Sequence, residues 1–181
     1  MPPIQLRVPL ALAAVATLAA CTPSLNWREL RLVPTTALAL LPCKPDHAER
    51  SVPLGGEPTL LVVNGCDAGG ATFALMSTTV AAGRAPDDLL AGWQQATLAN
   101  MRATGTPERQ AFHPPNALPL AHAQRIVAQG QRADGRAVTA QAVWSARAAA
   151  GGGTELLHAV VYAPQADPAV ADAFFAGIKW P

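Results

Sequence analysis

The sequence has few of the features by which nucleic-acid-binding proteins and repeat proteins are identified. Charged residues make up only 14% of its 181 residues, the formal net charge is +1, and no basic stripe occurs. A nucleic-acid partner is therefore not expected. The sequence contains no internal repeat, and after Cys21 no apolar run is long enough to be a second membrane span. A single domain of sufficient size for a hydrophobic core is the expected organisation.

Motifs that carry enzymatic chemistry are also missing. The serines lie outside G-x-S-x-G and S-x-x-K motifs, and the histidines lie outside the metal-binding motif H-E-x-x-H. The residues concerned are Ser24, Ser51, Ser77, Ser145, His47, His113, His122 and His158. We therefore expect no catalytic residue, no metal, no cofactor and no enzymatic activity. An enzyme of unknown class stays open as an alternative, because catalytic triads are defined in space and not by sequence position.

Two short segments resemble functional motifs but have simpler explanations. The glycine-rich segment 67–71 lacks the Lys-Ser/Thr of a phosphate-binding loop, so we interpret it as a turn. Asp87 and Asp88 directly follow Pro86 at the predicted start of a helix. Acidic side chains are favourable there because the helix dipole is positive at its N-terminus.

The first twenty residues have the pattern of a secretory signal peptide. Arg7 is followed by the apolar run 8–18 and then by the small residues Ala19 and Ala20. The run is too short to span a bilayer, which needs about 20 apolar residues. We expect residues 1–20 to be removed on export.

The end of this segment, Leu18-Ala19-Ala20-Cys21, resembles the lipobox of bacterial lipoproteins. The resemblance implies that Cys21 carries fatty acyl chains such as palmitate, that cleavage occurs just before it, and that residues 21–26 form a lipidated tether. Two or more acyl chains give stable anchoring. Thr22 stands where members retained in the inner membrane commonly have Asp, which implies the periplasmic face of the outer membrane. An ordinary signal peptide with a chance cysteine is the alternative.

Two cysteines remain if Cys21 is acylated. An even pair in an exported protein predicts a disulfide, here Cys43–Cys66, worth about 3 kcal/mol in the chain-entropy model. Metal binding by Cys43 and His47 is disfavoured, because the prolines at positions 42 and 45 prevent the helix that would align them.

The rest of the chain, residues 27–181, predicts a single α+β domain in which an antiparallel sheet has two helices packed against it. Strands are expected at 27–33, 38–42, 50–54, 58–63, 71–79, 124–131, 136–144 and 155–162. A helix is expected from Pro86 to Gly105 with a buried stripe at Leu90, Trp93, Thr97 and Met101, and a second helix is capped by Asp167. The proline-rich segment 104–120 is expected to be a long loop.

The register of one hairpin can be predicted in detail. A two-residue turn at Asp134-Gly135 would mix polar and apolar side chains on one face of strands 124–131 and 136–144. A three-residue loop ending in Gly135 instead pairs position 138 with 130, 140 with 128 and 142 with 126, which gives one apolar face. We therefore predict the longer loop, with Gly135 in the left-handed region.

The chain shows two family resemblances, one in the order of its elements and one in short residue patterns. The second half, roughly 73–180, loosely resembles the PsbP-like fold in topology. The patterns L-P-C-K-P-D and G-C-x-A-G-G-x-T-F-A resemble those of small uncharacterised proteobacterial lipoproteins, which implies no activity. We expect a non-enzymatic accessory module of the cell envelope, which contacts the membrane through its lipid and engages an envelope protein partner.

An alternative function is the binding of a small apolar ligand or lipid between sheet and helix. Small residues at 128, 130, 140 and 142 would leave space for it, with the proline-rich segment as a lid.

Overall fold

The computed structural model describes residues 25–181. Within them lie nine strands and two helices: β1 Arg28–Arg31, β2 Leu38–Leu41, β3 Asp46–Leu54, β4 Glu57–Ala68, β5 Ala71–Val80, α1 Pro86–Asn100, β6 Thr104–Ala111, β7 Gln124–Gln131, β8 Ala137–Ala148, β9 Thr154–Ala163 and α2 Pro168–Ala176. Neither helix has the length and apolarity to cross a bilayer.

Seven of the described strands form one antiparallel sheet in the order β3-β4-β5-β9-β8-β7-β6. The strands β3–β5 and β6–β8 are two meanders, and β9 is hydrogen-bonded to both of them. The strands β1 and β2 form a separate hairpin. The predicted α+β class is therefore confirmed, with a single domain whose two helices pack on an antiparallel sheet.

The sheet has a hydrophobic core on each face. Helix α1 covers one face, where Leu90 and Trp93 pack with Leu156 and Val160 of β9. Helix α2 and the β1–β2 hairpin cover the other. Because side chains alternate along a strand, β9 contributes Leu156 and Val160 to the first core and Leu157, Ala159 and Val161 to the second. Residues 154–161 of β9 are accordingly all buried.

The C-terminus closes the α2 face. Lys179 pairs with Leu38 of β2, and the Trp180 indole is buried, with Nε1 donating to Ser145 Oγ at 3.0 Å. The Trp180 side chain thus fills the end of the core on this face.

Several detailed predictions are also confirmed. The register of β7 and β8 pairs Gly130 with Val138, Ala128 with Ala140 and Ile126 with Ala142. Gly135 has a φ of 81°, as the longer loop requires. The strands expected at 50–54 and 58–63 lie within β3 and β4. Strand β3, which contains Pro53, is at the edge of the sheet, where a missing N–H is tolerated.

The predicted end of α1 is wrong. The helix ends at Asn100 rather than near Gly105, and Arg102 takes a φ of 48°. The helix closes with a local turn in which the Arg102 N–H donates to the Ala99 carbonyl and the Ala103 N–H donates to the Leu98 carbonyl, both at 2.9 Å. The Met101 carbonyl is then free to accept a hydrogen bond from the Gln131 N–H at 2.7 Å. Gly105 belongs to β6 instead.

The prediction of a loop over residues 104–120 is wrong for its first half, which forms β6. This is an edge strand with mostly exposed side chains, and its pairing with β7 is irregular between Thr104 and Glu108. Pro107 lies within the irregular part, where a missing N–H is tolerated. The second half does not form a lid, since Leu118 and Leu120 pack against the core under α1.

Candidate functional site

The predicted disulfide is confirmed. Cys43 and Cys66 are bonded, with Cα atoms 6.0 Å apart and a sequence separation of 23. Cys66 lies within β4 rather than after it, because β4 extends to Ala68. The bond therefore ties the segment after the β1–β2 hairpin to the large sheet. Cys21, the proposed lipidation site, lies outside the described residues.

Residues 25–181 form an open groove of about 650 Å³, here called the α2 groove. It lies on the face of the sheet that carries α2, between the start of that helix, the β4–β5 turn and the end of β9. Its lining is Leu25, Ala68, Gly69, Gly70, Ala71, Phe73, Thr139, Gln141, Val161, Ala163, Pro164, Gln165, Ala166, Asp167, Pro168 and Val170. Most of these side chains are small or apolar.

The β4–β5 turn shapes one wall of the α2 groove. Gly69 and Gly70 both have positive φ values, 56° and 77°, which permit a tight two-residue hairpin turn. The turn approaches Leu25 closely, since a Cβ atom on Gly69 would lie 3.5 Å from the Leu25 side chain. The segment interpreted from the sequence as a glycine-rich turn thus borders the groove.

Two buried polar side chains form part of its floor. Gln141 Nε2 donates to the Asp167 carbonyl at 3.2 Å, and Gln141 Oε1 accepts from Arg125 Nη2 at 2.7 Å. The Thr139 hydroxyl donates to Gln129 Oε1 at 2.9 Å. Because these groups find hydrogen-bond partners inside the protein, the groove presents mainly an apolar surface to a ligand.

The start of α2 forms the remaining wall. Asp167 Oδ1 accepts hydrogen bonds from the backbone N–H groups of Ala169 and Val170, at 3.0 and 3.2 Å. This confirms the predicted cap. The free N–H groups of the first helical turn are thereby partly used by the chain itself, so the wall is not an open anion site.

The alternative function predicted a ligand-binding space between the sheet and α1, lined by small residues of β7 and β8. The structure does not place such a space there. Ala128, Ala140 and Ala142 are buried in the core under that helix. A Cβ atom on Gly130 would lie only 2.3 Å from the Met101 carbonyl oxygen. The small side chains are therefore needed for close packing of α1 and its C-terminal turn, and the α2 groove lies on the opposite face.

Asp87 and His122 form a pair that the sequence did not indicate. Asp87 Oδ1 accepts from the His122 backbone N–H at 2.8 Å, and Oδ2 lies 2.9 Å from His122 Nδ1. Desolvation acts to raise the pKa of Asp87, but the hydrogen bonds and charge of His122 outweigh it and lower the pKa below its usual value. The pair joins the first turn of α1 to the segment before β7. Asp87 therefore contacts His122 as well as lying at the positive end of the helix dipole, as expected.

His158 is completely buried between two tryptophans. Its ring stacks on Trp144 at 4.2 Å between centroids and meets Trp93 edge-on at 5.5 Å. Nδ1 lies 3.2 Å from the Val143 carbonyl, to which it must donate. His158 Nε2 and Trp144 Nε1 are buried without partners in the described chain. His158 is thus part of the core under α1.

The other predicted candidates are scattered. His47 contacts Asn64, and His113 contacts the Leu120 carbonyl. Ser77 donates to the Val33 carbonyl and Ser145 accepts from Trp180. Ser51 is exposed on β3, and Ser24 lies outside the described residues.

The histidines, cysteines and carboxylates are likewise not clustered as a metal site would require. Among residues 25–181, no three His, Cys, Asp or Glu side chains are placed to hold a metal ion. Comparison of the chain with protein-family models, curated proteins and solved structures finds no match.

Proposed function

We propose that this protein is a lipid-anchored accessory protein of the cell envelope, held at the periplasmic face of the outer membrane through Cys21, and that it acts by binding. The lipobox-like segment 18–21 supports the anchor. The Cys43–Cys66 disulfide supports export, because disulfides persist in oxidising compartments such as the periplasm.

The position of the α2 groove carries the binding role. Leu25 lines the groove and is four residues after Cys21. Four residues of chain extend at most about 14 Å. An acyl anchor at Cys21 would therefore hold the mouth of the groove close to the bilayer.

The lining of the groove favours an apolar occupant. Its volume of about 650 Å³ is within the usual range for ligand sites. Ala71, Val161, Ala163 and Val170 offer small or branched apolar side chains, while the polar floor is bonded internally. The proposed ligand is a fatty acyl chain or a molecule with a comparable apolar chain, which the nearby membrane would supply.

Photocrosslinking in intact cells tests the ligand. A benzophenone amino acid at the exposed groove position Ala166 should form an adduct with a mass corresponding to a lipid. The same residue at Ala148, exposed at the end of β8 and away from the groove, is the matched control. A protein adduct at 166 alone would assign the groove to an envelope protein partner and remove the lipid ligand. Equal labelling at both positions would show that the α2 groove is not the binding site.

The anchor is tested independently. Mass spectrometry should show an acylated N-terminus beginning at Cys21, and a Cys21→Ser chain should no longer be processed at that position. A mature protein that begins elsewhere, or that carries no acyl chain, would refute the anchor.

A further inference from the structure

A second hollow, of about 440 Å³, lies at the same end of the sheet on the α1 face, and is here called the turn hollow. Met101, Val138 and Tyr162 form its base. Val138 and Tyr162 directly precede Thr139 and Ala163, which line the α2 groove. Neighbouring residues of a strand point to opposite faces, so the two concavities lie back to back at the ends of β8 and β9.

The charged side chains that line the turn hollow are two arginines and one aspartate. Arg132 and Arg136 flank the β7–β8 turn, and both line the hollow. Asp134 is paired with Arg136, with 2.6 Å between Oδ2 and Nη2. Arg132 forms no ion pair within residues 25–181. The three side chains together leave a charge of +1 beside the hollow.

Arg132 is also tied to the end of the domain where the proposed tether begins. Its Nη2 atom lies 3.5 Å from Thr72 Oγ1. Thr72 is two residues after the Gly69-Gly70 turn, which approaches Leu25. The Thr72 hydroxyl donates to Asp67 Oδ1 at 2.6 Å, so a carboxylate that does not line the hollow lies beyond Thr72. The Arg132 guanidinium is thus on the side of the molecule that an anchor at Cys21 would bring to the bilayer.

Tyr162 supplies a hydrogen-bond donor within the hollow. Burial raises the pKa of its phenol, and the charge of Arg132 opposes this rise, so the hydroxyl stays protonated at neutral pH. No hydrogen bond within residues 25–181 uses this hydroxyl, whereas Arg132 is bonded to Thr72 and Arg136 to Asp134. The hollow therefore combines a free donor, a cation and an apolar base.

We propose that the turn hollow binds the phosphate group of an anionic membrane phospholipid, with Arg132 as its counter-ion and the Tyr162 hydroxyl as a hydrogen-bond donor. A guanidinium presents several N–H donors in a planar fork that suits phosphate oxygens. The apolar base, with Met101 and Val138, would contact the glycerol and upper acyl carbons. The choice of a lipid rests on the proposed anchor, which places this end at the membrane.

Vesicle flotation of the mature chain with Cys21→Ser, exported behind an ordinary cleavable leader, tests the site without an acyl anchor. Binding to phosphatidylglycerol vesicles should exceed binding to phosphatidylcholine vesicles. Arg132→Gln should lower the affinity for phosphatidylglycerol about fivefold, the effect of one basic residue near an anionic surface. Arg109→Gln is the control, because Arg109, like Arg132, forms no ion pair in the described chain but lies on β6, away from the hollow.

Tyr162→Phe provides a second variant that keeps the packing. It should lower vesicle affinity severalfold while leaving the unfolding free energy unchanged.

Equal losses in Arg132→Gln and Arg109→Gln would show general electrostatic attraction and overturn the proposal. Saturable NMR shifts of residues 131–136 on addition of glycerol phosphate, without vesicle binding, would reassign the hollow to a soluble phosphate ester. These outcomes leave the acylation of Cys21, which is measured separately, unaffected.

Discussion

Acidification should destabilise this protein through His158. The imidazole is enclosed by Trp93 and Trp144, and burial lowers its pKa from 6.5 to about 4, although the hydrogen bond to the Val143 carbonyl opposes the shift. A second proton would sit on Nε2, which has no partner in the described chain. The neutral ring is therefore the form compatible with the fold.

The sign and size of the effect follow from the two pKa values. The unfolded chain binds a proton near pH 6.5, whereas the folded protein binds it near pH 4, so stability is fully present above about 6.5 and is lost as the pH falls. Between pH 7 and pH 5 the loss is about 2 kcal/mol, and below the folded pKa it reaches about 3 kcal/mol. A typical domain has only about 5–15 kcal/mol in total.

Urea unfolding between pH 7.5 and pH 4.5 measures this loss. His158→Phe keeps an aromatic ring against both tryptophans and removes the titration, at a cost at neutral pH of about 1 kcal/mol for the lost hydrogen bond. The variant should become more stable than the parent protein near pH 5. His113→Phe, at an exposed position, is the matched control and should keep the parent's pH dependence. Parallel pH profiles for the parent and His158→Phe would refute the reasoning.

Three other changes give measurable predictions. Cys43→Ser, which frees Cys66, should lower the unfolding free energy by about 3 kcal/mol, and dithiothreitol should then destabilise only the parent. Gly130→Ala should cost more than 2 kcal/mol, because its Cβ would press on the Met101 carbonyl. Gly92→Ala, within α1 and with nothing near its Cβ, should instead stabilise by about 1 kcal/mol. Thermal and urea unfolding measure these changes, and a similar loss in both glycine variants would contradict the packing argument.

The β7–β8 hairpin shows how far local patterns can predict this fold. Its register could be predicted because only one alignment places Ala128, Ala140 and Ala142 on a single apolar face. The Asp167 cap could be predicted because a short acceptor side chain before Pro168 satisfies amides of the next turn.

The errors arose where tertiary contacts outweigh local signals. Strand β6 is polar and contains Pro107, so nothing in its own sequence indicates a strand; pairing with β7 along the edge determines it. Helix α1 stops at Asn100, where Arg102 takes the left-handed conformation and the Met101 carbonyl accepts from the distant Gln131 N–H, although Gly105 is the stronger local stop signal.

The candidate sites could not be predicted because their residues come from distant parts of the chain. Leu25, Ala71, Val161 and Val170 meet only after β5 has paired with β9 and α2 has returned to the sheet. None of them belongs to a motif, since an apolar groove requires small side chains and space rather than particular chemical groups.

The central place of β9 has a consequence for the proposed export of the chain. Strand β9 is next to last among the described elements, yet it alone connects the two meanders of the described sheet. In one of its pairings, Tyr162 lies opposite Thr72 of β5, which is ninety residues earlier in the chain. Such long-range pairing slows folding. On the proposed export route, a chain whose β9 has not yet crossed the inner membrane cannot complete either core, and it therefore stays unfolded until β9 has emerged.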